Sequence, residues 1–358
     1  VPLILCMFFG LAFLEDSGYL ARVAFMMDRI FRLFGLHGSS VMAYIMSGGI
    51  AGGCAVPGVL ATRTLRSPKE RMATLLTAPF MNCGAKVPVL ALFVGIFFPA
   101  QQAQILLFLT LLAWLVALVV AKILRLTVLR GAPTPFVMEL PPYRLPTVKG
   151  LLIHTWERTW QYIRKAGTII LGFSILMWAM MTYPQLPAEQ LARLAAQEQA
   201  AAAMPAGPER AAAAADAAAA RNEAALRYSI AGRIGTGLEK VSQWAGIDWR
   251  ANVALLGGVA AKEIIISTLG TVYSLGAEVD DHTALDEVLA ADPAWTPLRA
   301  LALVLFIMFY SPCVATLVCI RKETGSWGWV LFSMTCNTLF AFGFAVTVYQ
   351  AGRLFFAG

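Results

Sequence analysis

Five stretches of this chain, residues 38–62, 87–121, 166–183, 300–320 and 324–352, contain no Asp, Glu, Lys or Arg. Each is long enough to cross the roughly 30 Å of hydrocarbon in a bilayer. Lipid offers no water to backbone amides, so such a segment must satisfy them internally, as helix. Shorter apolar runs at 1–14, 72–85 and 251–277 bring the tally to about seven to nine membrane elements. With 59% hydrophobic and 14% charged residues, the composition excludes an ordinary soluble domain. The expected fold class is an all-α polytopic membrane protein.

Within these runs sit residues that break helices. Gly53-Cys54-Ala55-Val56-Pro57-Gly58 and Asn82-Cys83-Gly84-Ala85-Lys86-Val87-Pro88 each set a thiol beside proline and glycine, and Cys313 follows Pro312 in Tyr310-Ser311-Pro312-Cys313. Proline removes a backbone donor and clashes with the preceding turn, so each run leaves amide groups unpaired at membrane depth. Interrupted backbone survives there only when buried in protein or lining a wet cavity. Three soft ligands at three breaks point to a path for a cation. The other cysteines, Cys6, Cys319 and Cys336, read as small hydrophobes, and the absence of any close Cys-x-x-Cys pair or zinc-type His spacing argues against a disulfide framework.

The formal net charge of +7 does not indicate nucleic acid, because the basic residues lie in short loops between spans. Arg63, Arg66, Lys69 and Arg71 form one cluster, and the connector 126–165 carries Arg130, Arg144, Lys149, Arg158, Arg164 and Lys165. Both are expected on the cytoplasmic side. The acidic loop 276–297, with Glu278, Asp280 and Asp281, is expected opposite. Trp156, Trp160, Trp178, Trp327 and Trp329 read as interfacial anchors.

Residues 1–125 and 166–358 echo one another, each with Gly-rich turns ahead of an apolar run and a later span bearing a thiol. Cys83 and Cys313 become counterparts, as do the Cys54 break and a break expected at Gly257-Gly258 and Lys262-Glu263. Paired broken or re-entrant helices in two halves mark a transport site near the midplane. Residues 228–244 read as an amphipathic, interfacial segment. The alanine-rich stretch at about 184–227 reads as a water-exposed excursion of two short helices, or else as an arm for a partner. Ionisable residues in apolar surroundings need an account: Glu15 and Glu263 are candidate hydrated relay ligands, or Glu15 and Asp16 simply pair with Arg22. His37, between glycines, reads as a turn residue.

Leu14-Glu15-Asp16-Ser17-Gly18-Tyr19-Leu20-Ala21-Arg22, Gly35-Leu36-His37-Gly38, the two Cys-Pro runs, Lys262-Glu263 with Ser267-Thr268-Leu269-Gly270, and Ser311-Pro312-Cys313 with Arg321-Lys322-Glu323-Thr324-Gly325-Ser326-Trp327 resemble the membrane domain of the ferrous iron transport protein B family. The resemblance covers nearly the whole chain outside the alanine-rich excursion. It implies two gate-type repeats in a bacterial inner membrane, Fe2+ as the transported substrate, and Cys54, Cys83 and Cys313 as iron-path residues. It also implies partners: an N-terminal GTP-binding domain, small cytoplasmic accessory proteins, and a second copy of the chain.

The chain departs from the family pattern in two places: Ala55 stands where the first gate usually has asparagine, and Lys86 where arginine is common. It holds no Gly-x-x-x-x-Gly-Lys-Ser/Thr loop, so no nucleotide site and no enzymatic activity are expected in it. It opens at Val1 in an apolar run with no basic residues before it, as a domain cut from something longer would. The competing reading is a gate-fold carrier of another solute, nucleoside-type, or a membrane scaffold for a soluble partner.

Overall fold

The computed structural model describes residues 2–49, 52–131, 143, 145–203, 208–273 and 282–356, and no strand occurs among them. The helices run in chain order as α1 (Pro2–Asp16), α2 (Tyr19–Leu33), α3 (Ser40–Tyr44), α4 (Ala55–Ala61), α5 (Pro68–Thr77), α6 (Val87–Phe97), α7 (Gln102–Leu126), α8 (Val148–Thr182), α9 (Ala188–Ala202), α10 (Pro208–Tyr228), α11 (Ile230–Ser242), α12 (Trp249–Ala260), α13 (Ile264–Val272), α14 (His282–Ala291), α15 (Pro297–Phe309), α16 (Val314–Thr324) and α17 (Trp327–Phe356). Glu278, Asp280 and Asp281 of the acidic loop, Arg144, and Pro205 and Gly207 of the alanine-rich turn lie outside the described residues.

Three segments, Pro99–Leu126, Pro297–Thr324 and Trp327–Phe355, are long and apolar enough to cross a bilayer. Burial separates them: in an apolar 18-residue stretch of each, 28% of the residues are buried in the first and third, against 72% in Pro297–Thr324. The outward face of α7 shows why lipid is the surrounding solvent. Leu107, Leu111, Leu115, Val119 and Ile123 recur every fourth residue, all at least 41% exposed. An apolar row of that length facing water would drive association, whereas facing lipid it is ordinary.

Several expected spans are interrupted. Residues 87–121 form two helices, because Pro99 ends α6 and biases Phe98 away from helical geometry. Residues 300–320 likewise divide into α15 and α16 at Pro312, and 38–62 divides into α3 and α4. Of the two places expected to mark a break, Gly257-Gly258 stays helical and the break falls at 261–263, at Lys262-Glu263, where Ala261 is extended (φ −151°, ψ 134°). Gly257 serves packing instead: a Cβ there would lie 3.0 Å from Thr268 Oγ1 and 3.2 Å from Ile264 Cγ2, so its absence lets α12 and α13 approach.

The chain divides into two units. The first comprises Val1–Ala91, Ala100–Ile170 and Phe306–Ala341. Its core gathers Phe31, Tyr44 and Trp114, with ring centroids 5.5 to 6.5 Å apart. The Tyr44 hydroxyl meets Thr77 Oγ1 at 2.6 Å, and Trp114 Nε1 donates to Gly49 O at 3.0 Å. Toward the basic loop, Glu323 accepts from Arg63 (2.5 Å) and Arg71 (2.6 Å), tying the end of α16 to the loop after α4 and to α5. That carboxylate raises the Arg63 guanidinium above its usual pKa. Arg22, considered above as a partner of Glu15 or Asp16, lies over the Tyr143 ring at 3.3 Å.

Arg125, with its side chain 5% exposed, donates to the carbonyls of Gly35 (2.9 Å), Leu129 (3.0 Å) and Gly131 (3.0 Å) and faces Glu70 at 3.9 Å. Removing one side of a buried charged cluster costs more than the cluster contributes, because the remaining groups lose their partner without regaining water. Arg125→Met is expected to destabilise the protein by about 3 kcal/mol. Glu70→Gln, which leaves the three carbonyl contacts intact, is expected to cost about 1 kcal/mol. Thermal unfolding in detergent compares the two; equal effects would contradict the assignment.

The second unit comprises Leu92–Pro99, Leu171–Leu305 and Phe342–Gly358. α11 begins at Ser229, whose Oγ accepts from Gly232 N at 3.1 Å. One face of α11 packs on α12: a Cβ on Gly235 would lie 2.7 Å from Val253 Cγ2, and Asn252 Nδ2 donates to Gly235 O and Ser242 Oγ. Its other face exposes Ile230, Ile234, Leu238 and Val241. The alanine-rich stretch forms α9 and α10. The end of α10 is held by Leu226, buried with Val253 and Val272, and by Glu223, 2.9 Å from Arg250.

Candidate metal path

The three thiols singled out in the sequence all lie where helices stop. After α3 the backbone makes one wide turn over Ile45–Gly49 and leaves helical geometry at Gly48 (φ 125°). It returns at Cys54, which is extended (φ −133°, ψ 136°), precedes α4, and donates its N–H to Met46 O at 2.8 Å. The second break follows α5: the tight turn Ala78–Phe80 leads into extended Met81, and residues 82–86 connect to α6. The third follows α15, where Cys313 is extended (φ −64°, ψ 154°) ahead of α16 and its Sγ lies 3.2 Å from Thr316 Oγ1. All three are half-buried thiols.

The first two breaks are joined through backbone. Gly84 N donates to Gly53 O at 2.8 Å. A Cβ on Gly48 would fall 2.2 Å from Asn82 O and 2.8 Å from Cys83 N, so the strand of chain before Cys83 runs directly over Gly48. The second and third breaks meet at a lysine. Lys86, 3% exposed, donates to Pro79 O (3.1 Å), Met81 O (3.0 Å) and Met308 O (2.6 Å). Both Cys83 and Cys313 lie within electrostatic reach of that ammonium, and of the buried Tyr310 hydroxyl. Two thiols far apart in the chain thus share one neighbourhood, with Cys54 on the adjoining break.

Among the described residues, no three His, Cys, Asp or Glu side chains are close enough to hold one ion together. Glu15 is exposed near the end of α1; Glu263 is exposed just before α13, in the second unit. His37 sits in a turn, its Nδ1 accepting from Ser39 N at 3.2 Å. Of Cys6, Cys319 and Cys336, the first and last are exposed.

Two polar groups beside the breaks were given no role by the sequence reading. Asn82 Oδ1 and Ser47 Oγ are buried without a hydrogen-bond partner. Ser47 Oγ sits against Gly58 of α4, where a Cβ would come within 1.7 Å of it. An orphaned buried acceptor costs about 1 to 3 kcal/mol, so it is uncommon without a use. The signal was in the sequence, since an amide next to a thiol at a helix break is a ligand pair, but whether the amide is already satisfied depends on the fold.

Interrupted helices, apolar outer faces and polar groups gathered at the breaks define a polytopic helical membrane protein of the gate type. Comparison with known families agrees. The profile described as "Gate: Nucleoside recognition" matches residues 1–97 and 163–327, and that of the "Ferrous iron transport protein B C terminus" matches 106–158. The chain belongs to the gate family, as the membrane part of the ferrous iron transport protein B type.

The Fe(2+) transport protein A/Fe(2+) transporter FeoB fusion protein of Porphyromonas gingivalis is 38% identical over 99% of this chain and 43% of its own length. The Fe(2+) transporters FeoB of Helicobacter pylori (strain J99) and Campylobacter jejuni are 36% and 37% identical, over 99% and 96% of this chain and 54% and 52% of their own lengths. The chain thus spans about half the length of the curated relatives it matches. No solved structure matches it. The nucleoside-carrier and scaffold readings draw no support from these relatives.

Proposed function

We propose that this chain passes Fe2+ across the bacterial inner membrane toward the cytoplasm, with Cys83, Cys313 and Cys54 as successive ligands. The observation that carries the reading is the meeting of Cys83 and Cys313 around one buried polar point where two helices are interrupted. Fe2+ is borderline in softness and takes thiolate, imidazole and carboxylate alike. A transport site must bind without trapping, so one or two thiols with backbone carbonyls serve better than a closed cage. The lack of any three-ligand cluster among the described residues fits stations along a track. Asn82 Oδ1 adds a harder oxygen donor beside Cys83. Glu15 and Glu263, both exposed, fit entry or exit relays better than a central site.

The interrupted pairs α3/α4 and α5/α6 correspond in this reading to α12/α13 and α15/α16, as two gate-type repeats. A GTP-binding domain and small cytoplasmic accessory proteins, as in the family, would be the partners that control it. The chain acts as a transporter with iron as cargo; no enzymatic step is assigned to it.

The test uses sealed vesicles containing the purified protein and an iron-quenched fluorophore. Fe2+ entry above that of protein-free vesicles is expected. Asn82→Ala is expected to lower the initial rate about tenfold, the scale of losing one supporting group at a metal site. Entry equal to that of empty vesicles, both from the chain alone and from the full-length protein, would overturn the reading.

A further inference from the structure

Lys86 is an obstacle in any cation path. Its ammonium is buried, forms no ion pair with a carboxylate among the described residues, and has Cys83 and Cys313 as its titratable neighbours. Burying a cation without an anion is costly, so its surroundings must offset the loss of water. They do so with backbone. An ammonium has three N–H donors, and three carbonyls, those of Pro79, Met81 and Met308, receive them.

These carbonyls are not arbitrary. Pro79 and Met81 follow the end of α5, and Met308 belongs to the last turn of α15. Helix C-termini expose carbonyls without intrahelical partners and carry partial negative charge. Three such oxygens converging on one point are what ion-selective pores use to replace the water around a cation. The protein already contains a cation site here, and its own side chain fills it.

We propose that Lys86 is a tethered cation holding the ion position beside Cys83 and Cys313, and that a divalent cation advances only when the ammonium leaves its carbonyl cage. The lysine lies ahead of α6 rather than within it, on a stem of four methylene groups that can swing while the backbone stays in place. While the ammonium is seated, it repels an incoming cation and occupies the oxygens that cation needs; once withdrawn, it frees both. This deepens the iron-path reading and rests on it for the identity of the ion, though not for the cage.

Charge-selective thiol modification tests the claim without iron. The wild-type protein is treated in parallel with methanethiosulfonates bearing an anionic sulfonate or a cationic trimethylammonium, and labelling is followed at individual cysteines by mass spectrometry. Free cysteine in solution, reacted in parallel, is the reference. Relative to free cysteine, Cys83 and Cys313 are expected to favour the anionic reagent about tenfold, the scale on which a local field alters encounter rates. Lys86→Met should abolish the preference and Lys86→Arg keep it. In vesicles, Lys86→Met should raise the Fe2+ rate several-fold.

The free-cysteine charge preference at both Cys83 and Cys313 of the wild type would overturn the proposal, as would an Fe2+ rate that Lys86→Met leaves unchanged or lowers in correctly inserted protein. The two readings fail separately. A charge preference that holds while Cys83→Ser leaves iron entry intact supports the cage and removes the iron path. No charge preference, with iron entry lost in Cys83→Ser, removes the cage and keeps the path.

Discussion

Cys83→Ser is expected to stop Fe2+ entry into vesicles, lowering the initial rate about a hundredfold, while the protein inserts in normal amount. The substitution exchanges one small half-buried side chain for another outside any helix, so little of the fold depends on it. What changes is the donor. A hydroxyl is neutral and hard, whereas a thiolate is anionic and soft, and Fe2+ held among carbonyls gains most from the latter. Cys313→Ser is expected to behave alike, because both thiols lie within electrostatic reach of the same ammonium. Cys336→Ser, at an exposed position on α17, should leave the rate unchanged. Undiminished entry in both Cys83→Ser and Cys313→Ser would remove sulfur from the path.

Gly48→Ala is expected to have the largest effect on stability, at least about 4 kcal/mol, enough to prevent accumulation in the membrane. Gly48 has φ 125°, a conformation that L side chains rarely adopt, and its Cβ would lie 2.2 Å from Asn82 O and 2.5 Å from Asn82 C. Those are backbone atoms, so no rotamer change relieves the clash; the crossing of the first two breaks must come apart. Gly52→Ala separates the two causes. With φ 102° but nothing within 4 Å of its Cβ, it carries only the backbone strain, about 1 to 3 kcal/mol. Expression level and thermal unfolding of the two variants check the difference, and equal tolerance of both would contradict the crossing.

The helix breaks at Cys54, Cys83 and Cys313 were legible in the sequence because proline and glycine act locally: a missing N–H next to apolar residues means an interrupted helix wherever the segment packs. The same local rule applies at Pro99, yet 87–121 still read as one unbroken span when hydropathy alone was weighed. Gly257 failed for the opposite reason. A glycine in a helix breaks it or lets a neighbour approach, and only the position of Thr268 and Ile264 decides between these.

Charged residues were the least legible in the sequence. Glu15 and Glu263 lie in apolar sequence, but apolar neighbours along a chain do not bury a side chain on a helix, whose faces differ, and both are exposed. Glu323 gave no sign of its two arginine partners, nor Lys86 of its carbonyl cage. These contacts join residues from distant parts of the chain, and spacing along the sequence carries no information about them.

Sulfur in the first coordination sphere of the transported ion is the central claim. X-ray absorption at the iron edge, recorded on anaerobic Fe2+-loaded protein, measures this. Sulfur scatterers are predicted beside oxygen in the wild type, and their loss in the Cys83→Ser/Cys313→Ser double variant. An iron shell made only of oxygen and nitrogen in the wild type, with metal bound in full, would contradict the account.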